Sequence, residues 1–542
     1  MKHPPLALCA LLAAAPSAPA ADYTGAVEAL ETVVQAEMRE WGLGGVAVAL
    51  VDDQHLVYAG GFGQAKRDSV FRVGSISKLF NALAVLQQVE AGRLELDAPL
   101  APELLPLNPF PGAPAVTLRQ ILCHRSGLQR ESPVGGYFDP TQPGLAATVA
   151  SLRAGVLVTR PGEKTRYSNI APSLAGWRVE RAAQEPFETY VQRHLLTPLG
   201  MTHSAWTLAR VPHERIAPAQ MRVADGRGGW TRRAAPLFDL GTRPAGNLFS
   251  TAEDLARFAS ALLAGGAGLV KPETLQEMWR PQLTPDQAGF GLGFMVGKFR
   301  AHRAISHSGA VYGYSTSFVL LPAEKLGVIV LGSEDVVNGR IHHINDAALD
   351  LLLEAKLGEK PAPTAPVVSP KDLAAFTGEY ESQSYWARLE FREGRLGGEI
   401  SGQPTRFTPA GGLNFTIQSR LEDATPVVFE RNEAGASTGF KLGSQQFTRV
   451  AAQTPRLPEV WRGFLGSYGP DFIPVVVSER HGHLYAMTEN MLDYRLTPVN
   501  RHVWALPPGL YADEHLVFLT DREGHPHSIN FANMILTRRP HR

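Results

Sequence analysis

Apolar positions recur with two different periods along this chain, and the switch between them divides it. Runs 46–51 and 56–59 are short and β-like, separated by Asp52-Asp53, which predicts a hairpin. Over residues 77–91, Leu79, Phe80, Leu83, Leu86 and Val89 fall at helical spacing, with Gly92 where a helix C-cap sits. A second helix is predicted from the capping-box pattern Ser250-Thr251-Ala252-Glu253 through Leu255, Phe258, Leu262 and Leu263, closed by Gly265. Runs 318–321 and 328–331 read as adjacent strands joined across Pro322 and Lys325. The segment from about 22 to 355 is therefore mixed α and β, a sheet with helices packed on it.

Residues 359–370 contain Pro361, Pro363, Pro366 and Pro370, which reads as a semi-rigid linker. Beyond it the period changes to short strands punctuated by Gly and Asn, and a repeat emerges. Phe376-Thr377-Gly378-Glu379-Tyr380 recurs as Phe464-Leu465-Gly466-Ser467-Tyr468, and Gly394-Arg395-Leu396 as Gly482-His483-Leu484, both at an offset of 88. Pro409, Phe415, Phe429, Gly435 and Thr448-Arg449 match Pro498, Trp504, Phe518, Gly524 and Thr537-Arg538 at 89. Two duplicated antiparallel barrels follow, parted near Pro455 and Pro458 and each large enough to fold alone.

The N-terminus has a different character. Lys2 and His3 precede an apolar run over 6–15, and Ala18-Pro19-Ala20 reads as a small-residue cleavage site, so residues 1–20 are expected to be a signal peptide. The protein is then exported, periplasmic or secreted. No later stretch is long and apolar enough for a membrane span. Cys9 would leave with the leader, so Cys123 is the one remaining thiol, read as a buried small hydrophobe. Lys+Arg 52 balances Asp+Glu 52, which excludes a basic face for nucleic acid or acidic lipid.

Three short motifs carry chemistry. Ser75-Ile76-Ser77-Lys78 sets a hydroxyl and an amine three residues apart at a helix start, on one face, where the amine can activate a poor nucleophile. Tyr167-Ser168-Asn169 offers a phenol, which sheds its proton more easily beside an ammonium, and an amide to hold Lys78 and a substrate carbonyl. His307-Ser308-Gly309 precedes a strand, and Gly309 would let a substrate backbone approach closely. His481, His483, His525 and His527 form i, i+2 pairs in turn-like sequence without a Cys or acidic third ligand nearby, so no metal is expected there.

In this order and spacing the motifs resemble those of the penicillin-recognising serine hydrolases: class C β-lactamases, D-Ala-D-Ala carboxypeptidases, D-aminopeptidases and related esterases. The surrounding text agrees, with Val70-Phe71-Arg72-Val73-Gly74, Ser126-Gly127-Leu128, Pro198-Leu199-Gly200-Met201 and Gly291-Leu292-Gly293-Phe294, over about residues 25–355. The resemblance implies an acyl-enzyme on Ser75, with Lys78 and Tyr167 exchanging the proton and Asn169 positioning Lys78 and the substrate. The backbone N–H groups of Ser75 and Ala310 would form the oxyanion hole. Where relatives carry Lys-Thr-Gly, this chain has His307, mostly neutral near pH 7, which disfavours substrates needing a terminal carboxylate.

The resemblance extends to the D-aminopeptidase architecture, in which a loop from the last barrel restricts the site to short substrates with a free amine. Here that loop would be 489–493, with Glu489 or Asp493 facing the substrate ammonium. The expected class is α/β (α+β): an antiparallel sheet flanked by helices, then two small lipocalin-like antiparallel barrels. The division is 1–20 leader, 21–358 hydrolase, 359–370 linker, and barrels over 371–453 and 454–542. The expected function is an exported serine hydrolase of short D-amino-acid-containing peptides, amides or esters. Alternatives are a β-lactamase or D-Ala-D-Ala carboxypeptidase, an esterase, or a non-catalytic binder of wall fragments. The partner is a small molecule or short peptide, with no cofactor and no nucleic acid; oligomeric state stays open, a homodimer included.

Overall fold

A computed structural model describes residues 21–540 apart from 102–104, 106, 226–228, 285–286, 362–371 and 452–454. The expected leader over 1–20 and most of the linker over 359–370 lie outside the described residues. The first unit is built on a seven-stranded antiparallel sheet in the order His55–Gly63, Gly45–Asp52, Leu326–Gly332, Tyr314–Leu321, His302–Val311, Met295–Phe299, Gly289–Phe290. Its central strands are covered on both faces, which is why they read as continuous apolar runs. Val46, Val48 and Leu50 pack under the helices Thr24–Trp41 and Asn338–Leu357. Ala47, Ala49 and Val51, one residue out of phase, face the helices Ser77–Glu90 and Ala252–Leu263. That second helix is capped by Thr251, whose side chain accepts from the Asp254 N–H, so the working cap lies one residue later than the Ser250–Glu253 pattern. Cys123 is buried.

The first tail unit is a closed eight-stranded barrel running from Gly378–Glu381 to Gln445–Arg449, closed by the pair Tyr380 and Arg449. Phe376, Phe407, Phe415, Phe429, Phe440 and Phe447 fill its interior as a packed core. The second unit repeats this plan: Tyr468 and Arg538, the equivalents of the closing pair, form a bridge. Its ladder, however, is split into four-stranded and five-stranded sheets. Where the first unit has one strand, Gln403–Gly411, the second has Asp493–Arg495 and Thr497–Pro498, broken at Leu496. The two units also differ in independence. The first has its own core, whereas buried residues of the second, among them Phe464, Trp504 and Phe531, belong to one cluster with the hydrolase core. Phe531 meets Phe138 and Phe472 meets Tyr312 across that junction. Among the described residues no helix is long and apolar enough to cross a membrane.

Candidate active site

The sequence places Ser75 by a sharp turn. After the two-residue strand Phe71–Arg72, Gly74 takes φ +54, and a Cβ there would lie 2.9 Å from the Ala310 nitrogen. Only glycine tolerates both the left-handed backbone and that approach, which brings the Ser75 turn against the strand His302–Val311. Ser75 does not begin the α-helix, as the spacing suggests; it sits in a 3₁₀ turn, Gly74–Ile76, and the α-helix starts at Ser77. Side chains at i and i+3 eclipse in a 3₁₀ turn, and Lys78 Nζ lies 2.9 Å from Ser75 Oγ.

Lys78 is buried and has two further acceptors, Asn169 Oδ1 at 2.8 Å and the Ala245 carbonyl at 2.9 Å. Three acceptors satisfy an ammonium. The same geometry serves a neutral amine that donates to Asn169 and Ala245 and accepts the Ser75 hydroxyl proton. Burial pushes Lys78 well below its ordinary range, with the Arg130 charge adding to this and Glu131 opposing it. Burial pushes the Tyr167 phenol up to about 12, partly offset by its hydrogen bond with Ser75. The expectation of a phenol that readily loses its proton is therefore reversed: in the resting site the amine is the ready base. Lys78 Nζ lies 4.9 Å from the centre of the Tyr167 ring.

His307 lines the same cleft. Its Nδ1 donates to the Ser308 carbonyl at 2.6 Å, while its buried Nε2 has no partner among the described residues. Burial holds it down at about 4, so it is neutral well beyond the range expected from sequence. Gly309 lines the cleft and has a second reason to be glycine. A Cβ there would stand 2.1 Å from the Val73 carbonyl oxygen, so the glycine seats the serine turn itself. The strand Met295–Phe299 pairs with its neighbour only as far as Ser306, leaving the edge from His307 to Val311 without a strand partner on that side among the described residues.

Several site residues carry no signal in the sequence pattern. His124 stacks on Tyr167 at 4.2 Å and accepts the Ser168 N–H on Nδ1 at 3.2 Å. The segment 124–131 is laced to 166–170 through Arg166 N–H to His124 O at 2.6 Å and Asn169 N–H to Arg130 O at 2.7 Å. Asn169 Nδ2 donates to buried Glu131, and Arg130 stands 3.8 Å from Glu131 and 3.5 Å from Glu489. Asp335, pushed up to about 7 by burial, lines the cleft near Asn338, which donates to the Gly309 carbonyl at 3.0 Å.

Both tail units reach this cleft, whose volume is 640 Å³. The first contributes Leu421, from a loop whose Arg420 carbonyl accepts the Gly339 N–H at 2.9 Å. The second contributes Glu489, Asn490 and Leu510. Glu489 Oε1 accepts from the Tyr511 hydroxyl at 3.0 Å, and its buried Oε2 has no partner among the described residues. A clasp holds the unit in place: Lys164 pairs with Asp513 at 2.8 Å, and Glu514 takes both the Arg166 guanidinium and the Arg130 N–H. The other acid of the expected loop, Asp493, is turned away and accepts from Trp386 Nε1 of the first barrel at 2.8 Å. In the tail, the His481 imidazole is held by Glu379 and Glu381. His525 does meet two acids, Asp521 and Glu523, at the exposed surface, neighbours that the sequence reading leaves out.

The family model described as beta-lactamase matches residues 30–352. A human beta-lactamase-like protein is 30% identical over 438 residues, spanning 74% of this chain and 81% of that protein. Esterase EstB of Burkholderia gladioli is 29% identical over 314 residues, 51% of this chain and 78% of its own length. Among solved structures, the octameric penicillin-binding protein homologue from Pyrococcus abyssi shares the fold at a TM-score of 0.56 and 22% identity, covering 86% of this chain and 99% of its own.

Proposed function

The chain belongs to the β-lactamase family of serine hydrolases, and from that premise we propose that it cleaves short amides, peptides or esters whose acyl part is a D-amino acid with a free amine. Neutral Lys78 takes the proton from Ser75 Oγ as the oxygen attacks the carbonyl carbon. The oxyanion is held by the N–H groups of Ser75 and Ala310, which the Gly74 turn brings together. The proton passes through Tyr167 to the leaving nitrogen or oxygen, and water then releases the acyl group from Ser75. His307, neutral, supplies no permanent charge for a substrate carboxylate.

The observation that carries this reading is Glu489. A carboxylate from the second tail unit lines the cleft, and its negative charge suits a substrate ammonium. Release of p-nitroaniline from D-Ala-p-nitroanilide tests it: turnover is expected for the wild type and lost in Ser75→Ala, and equal rates for both would sink the proposal. A carboxypeptidase reading has one supporting feature, the Arg130 guanidinium on the cleft wall. Faster cleavage of N-acetyl-D-Ala-D-Ala than of a free-amine D-dipeptide would favour it. Export follows from the signal-peptide pattern, and a mature N-terminus after Ala20 in secreted protein checks it.

A further inference from the structure

We propose that Glu131 is a positioning residue for acylation, fixing the amide of Asn169 and supplying the counter-charge for Lys78 while it holds the serine proton. The proposal rests on the reading of Ser75 and Lys78 as nucleophile and base. Glu131 lies behind the cleft wall, 1% exposed, and does not touch the space a substrate would fill. Its own position is fixed from three sides. One oxygen accepts from Asn169 Nδ2, the other from the Tyr137 N–H at 3.3 Å, and its backbone carbonyl accepts from Gln129 Nε2 at 2.7 Å.

Burial raises the Glu131 carboxyl, while Arg130 and the Asn169 Nδ2 donor favour its ionised form; that form can only accept, so it permits one orientation of the neighbouring amide, with Nδ2 toward Glu131 and Oδ1 toward Lys78. Without it, the two ends of Asn169 compete for Lys78, and the NH₂ end cannot accept from an ammonium. The second effect is charge. Lys78 takes up the Ser75 proton in a buried site where the other groups are Tyr167, His124, His307 and Arg130. The two imidazoles and the phenol are neutral, and Arg130 is cationic. Glu131 is thus the acid whose charge acts on Lys78, through the amide between them. Arg130, at 3.8 Å, and Glu489, beyond it, are the charged groups that face Glu131 in turn.

The test is steady-state hydrolysis of p-nitrophenyl acetate by the full chain from about pH 5 to 9, with wild type, Glu131→Gln, Glu131→Ala and Ser75→Ala. Glu131→Gln is expected to lower kcat about tenfold with KM within about twofold. It should also move the acid limb of kcat/KM down by about one pH unit, because an ammonium without its counter-charge gives up its proton sooner. Glu131→Ala should shift the limb the same way with a larger loss of kcat. The position of the limb does not depend on how much enzyme is folded, so partial misfolding leaves the readout intact. An acid limb unmoved in both variants overturns the proposal. A wild type no faster than Ser75→Ala overturns instead the hydrolase reading beneath it.

Discussion

Replacing Glu489 by Gln tests substrate choice at a carboxylate that the second tail unit brings to the cleft. The exchange conserves size and keeps an acceptor for the Tyr511 hydroxyl at 3.0 Å, so the loop should hold its shape. What is lost is a charge, 8% exposed, with one oxygen unpartnered. A hydrogen bond to a charged group contributes about 1.5–3 kcal/mol, which is about 10- to 150-fold in affinity. Arg130 at 3.5 Å already draws on this carboxylate, which puts the expectation in the lower part, about 10- to 30-fold. The assay is the ratio of kcat/KM for D-Ala-p-nitroanilide to that for its N-acetyl derivative. Glu489→Gln should lower the ratio by that factor while the acetylated substrate changes by less than about twofold. An unchanged ratio, or an equal fall for both substrates, refutes the argument that Glu489 receives the amine.

Further outcomes follow from other parts of the site. Gly74→Ala forces a left-handed side chain to within 2.9 Å of the Ala310 nitrogen, with backbone strain of about 1–2 kcal/mol. Because the two N–H donors are pushed apart, kcat should fall at least about 100-fold in the same nitroanilide assay. His307 sits at about 4 when folded against 6.5 ordinarily, so between those values the unfolded chain binds a proton that the folded chain refuses. Stability therefore drops as pH falls through that window, by up to about 3.4 kcal/mol from this group, and urea midpoints should show a smaller acid-side drop in His307→Asn. Glu514→Ala removes one of the two carboxylates beside the buried Arg166 guanidinium and leaves Asp513 at 3.6 Å, which should cost about 1.5–3 kcal/mol in urea unfolding. Because Arg166 adjoins Tyr167 and Glu514 also holds the Arg130 N–H, kcat should drop with it.

Much of the hydrolase unit was legible because its chemistry sits on local spacing. Ser75 and Lys78 are three residues apart, and the hairpin, the helix over 77–90 and the paired strands over 318–331 follow from apolar period alone. The repeat offset likewise matches Tyr380 with Tyr468 and Arg449 with Arg538, and in the structure each tyrosine bridges to the arginine of its own unit. What stayed hidden depends on long-range burial. Nothing around Lys78 or Tyr167 in sequence says that desolvation reverses which of them holds its proton more loosely. Glu131, His124 and Glu514 look like ordinary polar residues until the fold laces 124–131 to 166–170 and seats the tail against both. Gly309 was legible as a close approach but not as to what approaches it, since Val73 is 236 positions away in the chain.

The slip of the repeat offset from 88 to 89 falls where the two copies part company. In the first barrel the strands Arg395–Ile400 and Gln403–Gly411 meet in a tight turn at Ser401-Gly402. In the second, the strands His483–Met487 and Asp493–Arg495 are joined by residues 488–492, which carry Glu489. Duplication here produced two modules under different constraints. One copy kept its closed ladder and a private core, so it could carry the docking loop with Leu421 while tolerating little change inside. The other has a split ladder and shares its core with the enzyme, and its loops form part of the catalytic cleft. In such a protein, new selectivity can arise by rewriting a turn in the distal copy while the hydrolytic machinery itself stays untouched.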